Sequence, residues 1–385
     1  MSAAASLRLC VLTPVWPARD ADSGIANIMD SEARALAARG HEVQVLHLCD
    51  SVQAGVQARV YDNRGLQVTE IPSGRSGPGT FFIGRLLAPW RALAALRRID
   101  GAVDGILTTS YEFPALYYTL LRRRVPVLTR VSTTLETVDE LTGRAKGLRR
   151  AIPVWLERLA VRVSPLLCTH TRAHVEFCAR QIGVPASRFI LIPHGIESLA
   201  APEPETWTAP RTVLYVGRIG RRKGSDTLLA AAAAVLGKLP DCRFELVGAD
   251  CEHLGASFLA QHPEFADRLV LRGRLGNAER DAALAACYLF VSPSPYESFG
   301  MTYLEAMNRG KPVIGCSGSG AAELIGDAGM AVPVGDAPAL AEVIGGLLAD
   351  QDRRDRLARR AAQRAREFSI GNTALKIEAA FREKI

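Results

Sequence analysis

Short, largely apolar runs alternate along the chain with longer stretches in which apolar residues recur at helical spacing. Residues 7–12 read as a strand, residues 24–38 as an amphipathic helix that stops at Gly40, and residues 42–48 as the next strand. The alternation continues through residues 105–108, 114–121, 125–131 and 166–169 and closes at Ile190, Leu191 and Ile192. It restarts with a strand at 212–216, a helix at 226–238, strands at 244–247 and 269–271 and a helix at 281–286, then runs on through 288–291, 301–308 and 313–315. Residues 335–385 read as two or three amphipathic helices with a break near 369–372. Alternation of this kind calls for an α/β fold with parallel sheets.

Between the two series, residues 197–210 lack periodicity and are rich in Pro, Ala, Glu and Thr. The pattern therefore predicts two Rossmann-like, doubly wound domains: residues 1–195, a linker at 196–210, and residues 211–368. A last helix at 369–385 is free to cross back to the first domain. The length of 385 residues suits two domains. A 48% hydrophobic and 23% charged composition is that of a chain able to bury a core. No apolar run approaches the roughly 20 residues of a membrane-spanning helix, and the N-terminus lacks a signal-peptide pattern. The eight scattered cysteines contain no C-x-x-C pair, as expected of reduced thiols in a cytoplasmic protein.

The net charge of +7 is unevenly placed: residues 1–195 hold 24 Lys and Arg against 16 Asp and Glu, and the rest of the chain is close to neutral. The basic half points to an acidic partner there and not to a nucleic-acid coat. Arg85, Arg91, Arg97 and Arg98 lie among Phe81, Phe82, Leu86, Leu87 and Trp90, while Arg144, Lys146, Arg149 and Arg150 precede Ile152, Val154, Trp155 and Leu156. Such stretches suit either a solvated basic surface or peripheral contact with the inner face of a membrane.

The chemistry concentrates in the second half. In the segment from Ser292 to Met307, a strand gives way to a loop holding Glu297 and Phe299, then to Gly300 and a helix carrying Met301, Thr302 and Glu305. Ligands of open sheets sit at strand ends, and free amides at a helix start bind anions. Carboxylates such as Glu297 and Glu305 accept paired hydrogen bonds from sugar or ribose hydroxyls. A second strand-loop-helix passage, from Val216 to Gly224, holds Gly217, Arg218, Arg222 and Lys223, cations suited to a diphosphate leaving group.

Gly217-Arg218, Lys223-Gly224, Pro293-Ser294, Glu297-x-Phe299-Gly300 and Glu305-Ala306-Met307 together resemble glycosyltransferase family 4. Gly40-His41-Glu42-Val43, Pro193-His194-Gly195, Val247-Gly248 and Gly310-x-Pro312-Val313 extend the resemblance over nearly the whole chain. It implies a GT-B fold, two domains facing across a cleft, and transfer of sugar from a nucleoside diphosphate (a UDP- or GDP-sugar) to an acceptor hydroxyl with retention. No bound metal or other cofactor is implied. Arg218 and Lys223 would hold the diphosphate, Glu305 the ribose, and Glu297 with the amides of Phe299 and Gly300 the donor sugar. Ser23-Gly24 stands where the family has a glycine-rich loop in the first domain.

The chain departs from the pattern after residue 131. Many relatives carry a histidine there, and this chain has Ser132, Thr133 and Thr134, so Ser132 and Thr133 become the candidates on the acceptor side. His170 and His174, four apart, have no third metal ligand in view, and Asp20 and Asp22 read as a solvated turn. The missing G-x-G-x-x-G turn after the first strand argues against a nicotinamide dehydrogenase. A nucleotide-sugar epimerase and a non-catalytic nucleotide-sugar-binding subunit are the alternatives to an active transferase. The sugar, the base and the acceptor, lipid-linked or acidic, are left open.

Overall fold

A computed structural model describes residues 5–18, 23–49, 59–73, 81–121, 124–142, 147–199 and 211–385. Asp20, Asp22, Arg144, Lys146 and residues 200–210 of the linker lie outside the described residues, as do the side chains of Phe81, Phe82, Arg85 and Arg149. The chain divides into two compact units. One holds residues 1–170, 174–195 and 370–385, and the other residues 171–173 and 196–369.

The first unit is built on an eight-stranded sheet. Its strands are β1 (Arg8–Thr13), β2 (Glu42–Cys49), β3 (Arg59–Asn63), β4 (Leu66–Pro72), β5 (Gly105–Thr109), β6 (Val127–Arg130), β7 (Leu166–Thr169) and β8 (Phe189–Leu191), in the order β3-β4-β2-β1-β5-β6-β7-β8. All neighbours pair in parallel except β3 and β4. β3 and β4 form a hairpin whose two turn residues, Arg64 and Gly65, both take positive φ, the twist a two-residue hairpin needs.

β1 and β5 are buried on both faces, hence the apolar run Leu9–Leu12 in β1 and the Ile106-Leu107 pair in β5, whose two threonines are also buried. One face packs under the helices Gly24–Ala38 and Ile370–Arg382, with Val11, Met29, Leu36, Ile377 and Phe381 in a common core. On the other face, Leu12, Leu46 and Ile106 meet the helix Phe81–Ile99 through Ala92, Leu93 and Leu96.

The helix Ile370–Arg382 is held by charge as well as by apolar burial. Glu378 pairs with Arg39 at 2.7 Å and Arg382 at 2.8 Å, and His41 Nε2 lies 3.3 Å away. Burial pushes the Glu378 carboxyl up, but hydrogen bonds from Arg382, Arg39 and His41 outweigh it and hold the group at about 2. Deeper in the unit, Arg130 and Glu32 form a buried pair at 2.6 Å, and a second Arg130 nitrogen donates to the Ile192 carbonyl at 2.9 Å.

The second unit carries six parallel strands: β9 (Arg211–Val216), β10 (Cys242–Val247), β11 (Leu269–Gly273), β12 (Leu289–Val291), β13 (Val313–Cys316) and β14 (Met330–Val332). Their order is β11-β10-β9-β12-β13-β14. This is the doubly wound order in which the chain direction across the sheet reverses between β9 and β12, and such a switch point leaves a crevice at the carboxyl ends of the strands. The helices Ser225–Leu236 and Ala337–Ala349 share one core with β9 and β10, while Met301–Asn308 and Gln351–Glu367 share the core on the other face.

A depressed carboxyl stabilises the fold above its unfolded value near 4.3 and loses that effect as pH falls toward its folded value. Glu378→Gln should therefore cost roughly 2–3 kcal/mol at neutral pH. In urea titrations of both proteins, the gap should close between about pH 4.5 and pH 2. A gap of constant size across that range would mean that the Glu378 charge does not anchor the helix.

Candidate functional site

Both motif-bearing loops of the second unit leave the carboxyl ends of the strands that flank the switch point, β9 and β12. The first runs from Gly217 to Gly224. Tyr215 braces it: its hydroxyl donates to the Arg218 carbonyl at 2.7 Å, and Ser225 Oγ, 3.4 Å from that hydroxyl, accepts from the Gly220 amide at 3.1 Å. Glu252, from the loop after β10, accepts from the Arg221 amide at 3.2 Å. The second loop is braced in the same manner, with the buried Tyr303 hydroxyl donating to the Ser292 carbonyl and the Glu297 carbonyl accepting from the Gly320 amide at 2.8 Å. Tyr215, Ser225, Tyr303 and Gly320 were not legible as supports because each acts through a backbone hydrogen bond that only the folded loop brings together.

The two loops touch at a glycine. Gly224 has φ +69°, and a Cβ there would collide with the Pro293 carbonyl oxygen. That approach brings Lys223 Nζ to 2.6 Å from Glu297 Oε1, a half-buried ion pair linking the two motifs. Arg222 is half-buried and Arg218 exposed, and neither has a carboxylate within ion-pair distance among the described residues. Burial and then the neighbouring Arg218 charge lower the Arg222 pKa, with Glu297 partly offsetting them. A cation held in such surroundings favours an incoming anion. Arg222 lay within the sequence motif, but only its burial separates it from the exposed Arg221.

At the start of the helix Met301–Asn308, Gly300 takes φ +96° and caps the helix without a side chain, so no cap is supplied to the first amides by that residue. Phe299 is buried against Phe368, ring centroids 5.8 Å apart. Its side chain is thus a core residue, and only its backbone belongs to the loop surface. Glu305 stands one turn into the helix. Arg280 is 3.7 Å from one of its oxygens, and the other, Oε2, is buried with no hydrogen-bond partner among the described residues. Burial is the largest influence on Glu305 and raises its pKa, Arg280 and Arg309 lowering it in part. A buried acceptor of this kind is suited to a ligand hydroxyl.

In the first unit, Ser23 caps the helix Gly24–Ala38 by accepting from the Ala26 amide at 3.3 Å, and the space beside Gly24 is open to 4 Å. Ser132 and Thr133 are half-buried at the carboxyl end of β6, followed by Thr134, whose hydroxyl caps the next helix. His170 and His174 do meet, stacked at 4.5 Å, and His194 lies 4.5 Å from His170. Burial and the neighbouring His194 lower the His170 and His174 pKa values, the latter to about 4. Stacked neutral rings do not converge their nitrogens on one point, so the pair is a packed histidine layer.

A family model described as "Glycosyl transferase 4-like domain" matches residues 23–195, and one described as "Glycosyl transferases group 1" matches residues 210–350. The chain belongs to the family-4-like glycosyltransferases. The kanosaminyltransferase of Streptomyces kanamyceticus is 27% identical over 86% of this chain and 91% of its own length. The D-inositol 3-phosphate glycosyltransferase of Xylanimonas cellulosilytica is 28% identical over 92% and 90%. In fold, the glycosyltransferase resembles the sucrose-phosphate synthase of Thermosynechococcus elongatus (TM-score 0.75, 21% identity, 98% and 99% coverage) and Anabaena HepE, solved with UDP and glucose (0.71, 18%, 98% and 99%). Both units carry the parallel α/β sheets of the GT-B fold.

The raised Glu305 pKa fixes the sign of a test. An acid whose folded value exceeds its unfolded value binds more protons when folded, so its contribution to stability falls as pH rises through that window. Above it, the ionised carboxylate is a net cost to the unliganded fold. Glu305→Gln should therefore be at least as stable as the parent at pH 7.5 in thermal unfolding, while binding nucleoside diphosphate at least tenfold more weakly. A clear loss of stability with unchanged binding would make Glu305 a structural partner of Arg280.

Proposed function

We propose that this glycosyltransferase moves a sugar from a nucleoside-diphosphate sugar to an acceptor hydroxyl, with retention at the anomeric carbon and without a catalytic metal. The observation that carries this reading is the Lys223–Glu297 pair, set beside Arg222 and Arg218 at the switch point of the second unit. In the reaction, the bond from the anomeric carbon to the diphosphate oxygen breaks and the nucleoside diphosphate leaves with added negative charge. The acceptor oxygen bonds the carbon, and its proton passes to the leaving diphosphate oxygen. Arg218, Arg222 and Lys223 neutralise the leaving charge, and Glu297 with the backbone of Phe299, Gly300, Met301 and Thr302 orients the sugar and diphosphate. Glu305 accepts from the ribose. Gly24, Gly217, Ser132 and Thr133 serve as positioning candidates for donor and acceptor.

The Lys223–Glu297 pair also explains how two charges can wait in a half-buried site. Each offsets the other until phosphate and sugar hydroxyls replace the contact, so neither group is held as an uncompensated charge. HepE, which shares the fold, was solved with UDP and glucose, which favours a nucleoside-diphosphate donor. The test is incubation with UDP- and GDP-sugars, followed by assignment of the product anomer. Lys223→Ala and Arg218→Ala should each cut turnover about a hundredfold or more. Glu297→Ala should weaken the sugar donor and spare the free nucleoside diphosphate. Activity in EDTA should persist without manganese or magnesium, and inversion of the anomer or wild-type turnover in both cation variants would sink the proposal.

The acceptor is proposed to be acidic, either lipid-linked or a soluble phosphate. The relative from Xylanimonas is by name an inositol-phosphate glycosyltransferase, and the first unit carries the chain's excess positive charge. Its helices Phe81–Ile99, Leu116–Leu121 and Leu148–Val163 expose Leu87, Trp90, Leu120, Leu121 and Trp155. Among the described residues, no helix is long and apolar enough to cross a membrane. If the acceptor lies at a membrane surface, anionic liposomes should sediment more protein than neutral ones at low salt, the excess vanishing as salt rises. A Trp90→Ala/Trp155→Ala variant should lose most of it. Equal sedimentation with both lipids would assign a soluble acidic acceptor.

A further inference from the structure

At the carboxyl ends of β2 and β4 in the first unit, the sequence breaks its own pattern. The face of these strands that carries Val45, Leu66 and Val68 packs into the apolar core under the helix Gly24–Ala38. Continuing along that face by the two-residue strand period, the next positions should also be apolar. They are His47 and Cys49 on β2 and Glu70 on β4, all three buried. His47 and Glu70 are direct partners across the parallel pair, and Cys49 is one pleat further along. One ligating atom from each residue, an imidazole nitrogen, a thiol sulfur and a carboxylate oxygen, lies within 4.8 Å of the other two.

We propose that His47, Cys49 and Glu70 form a zinc site that ties β2 to β4. The donor set selects the metal: a thiolate with an imidazole suits zinc, whereas calcium and magnesium take oxygen ligands. Charge balance favours it in a buried place, since a divalent ion with one thiolate, one carboxylate and one neutral imidazole is net neutral. An ion at the usual zinc-ligand bond lengths has ligand atoms roughly 3.3–3.8 Å apart, so closing the set on zinc requires shifts of about 1 Å. Strand pairing already fixes His47 against Glu70, which leaves little backbone entropy to lose on binding. Three protein ligands leave a fourth position for water or another group. The sequence did not show this site because Glu70 is 23 residues from His47 and reaches it only through strand register. The proposed site is independent of the donor chemistry in the second unit.

The test uses the full chain, incubated with zinc chloride, passed over a desalting column and assayed for metal by mass spectrometry. The wild type should retain about one zinc per chain, and Cys49→Ser and His47→Ala should lose it or bind at least tenfold more weakly. Replacing zinc with cobalt should give a near-ultraviolet thiolate-to-cobalt absorption that survives Cys251→Ser, a substitution at the exposed cysteine, and disappears in Cys49→Ser. If Cys49→Ser does not fold, Glu70→Gln keeps the thiolate and should retain the band while weakening zinc. Failure of the wild type to hold stoichiometric zinc, or a cobalt band lost with Cys251 and not with Cys49, would overturn the proposal.

Discussion

The carbonyl of Pro293 occupies the space that any side chain on residue 224 would need, and the candidate donor site follows from that single close approach. Two loops leave adjacent strands at the point where the sheet changes direction, and Gly224 lets their backbones meet without an intervening side chain. Beside that close approach, Lys223 lies 2.6 Å from Glu297. The braces from Tyr215 and Tyr303 then hold each loop from beneath through backbone carbonyls. The charged groups are therefore placed by main-chain geometry, which moves less than flexible side chains do.

That arrangement also decides which electrostatic effects matter. The second half of the chain is close to neutral overall, so its net charge does not account for anion binding there. What it has is local imbalance: Arg222 is partly buried beside Arg218, while Glu305 keeps a buried oxygen without a hydrogen-bond partner among the described residues. Both are costs to the unliganded fold, and both have the sign a diphosphate and a ribose would relieve. Glu378 in the first unit shows the opposite case, a carboxylate whose three cationic or polar neighbours outweigh its burial. The same residue type is thus an anchor in one place and an open acceptor in the other.

How much of this was legible depended on whether the cause was local in sequence. The parallel α/β character and both anion-type loops follow from apolar runs, glycines and cations lying within a few residues of one another. The β3–β4 hairpin was missed because its turn is Arg64-Gly65, without the Asn-Gly or Asp-Gly that usually marks two positive φ angles. Helix Phe81–Ile99 was hard to recognise because Pro89 lies inside it and its apolar residues do not keep to one stripe. In the site, motif residues could be named, but Phe299 could not be separated into a buried ring and a loop backbone without its contact to Phe368. Nor could Arg222 be told from Arg221, since burial is a property of the packed loops.

Long-range register is the remaining source of information that sequence hides. His47 and Glu70 belong to strands that pair in parallel, so their neighbourhood is set by where β4 begins relative to β2 and not by any spacing between them. A shift of one residue in that pairing would move Glu70 to the opposite face, beside Leu46 and Leu48 of β2. The apolar partners on both faces forbid the shift: Val68 and Leu66 would then leave the core beneath the helix Gly24–Ala38. Hydrophobic burial thus fixes the register, and the register brings together an imidazole, a thiol and a carboxylate. Polar chemistry in this sheet is positioned by the apolar residues beside it, as the charged groups of the second unit are positioned by backbone contact at Gly224.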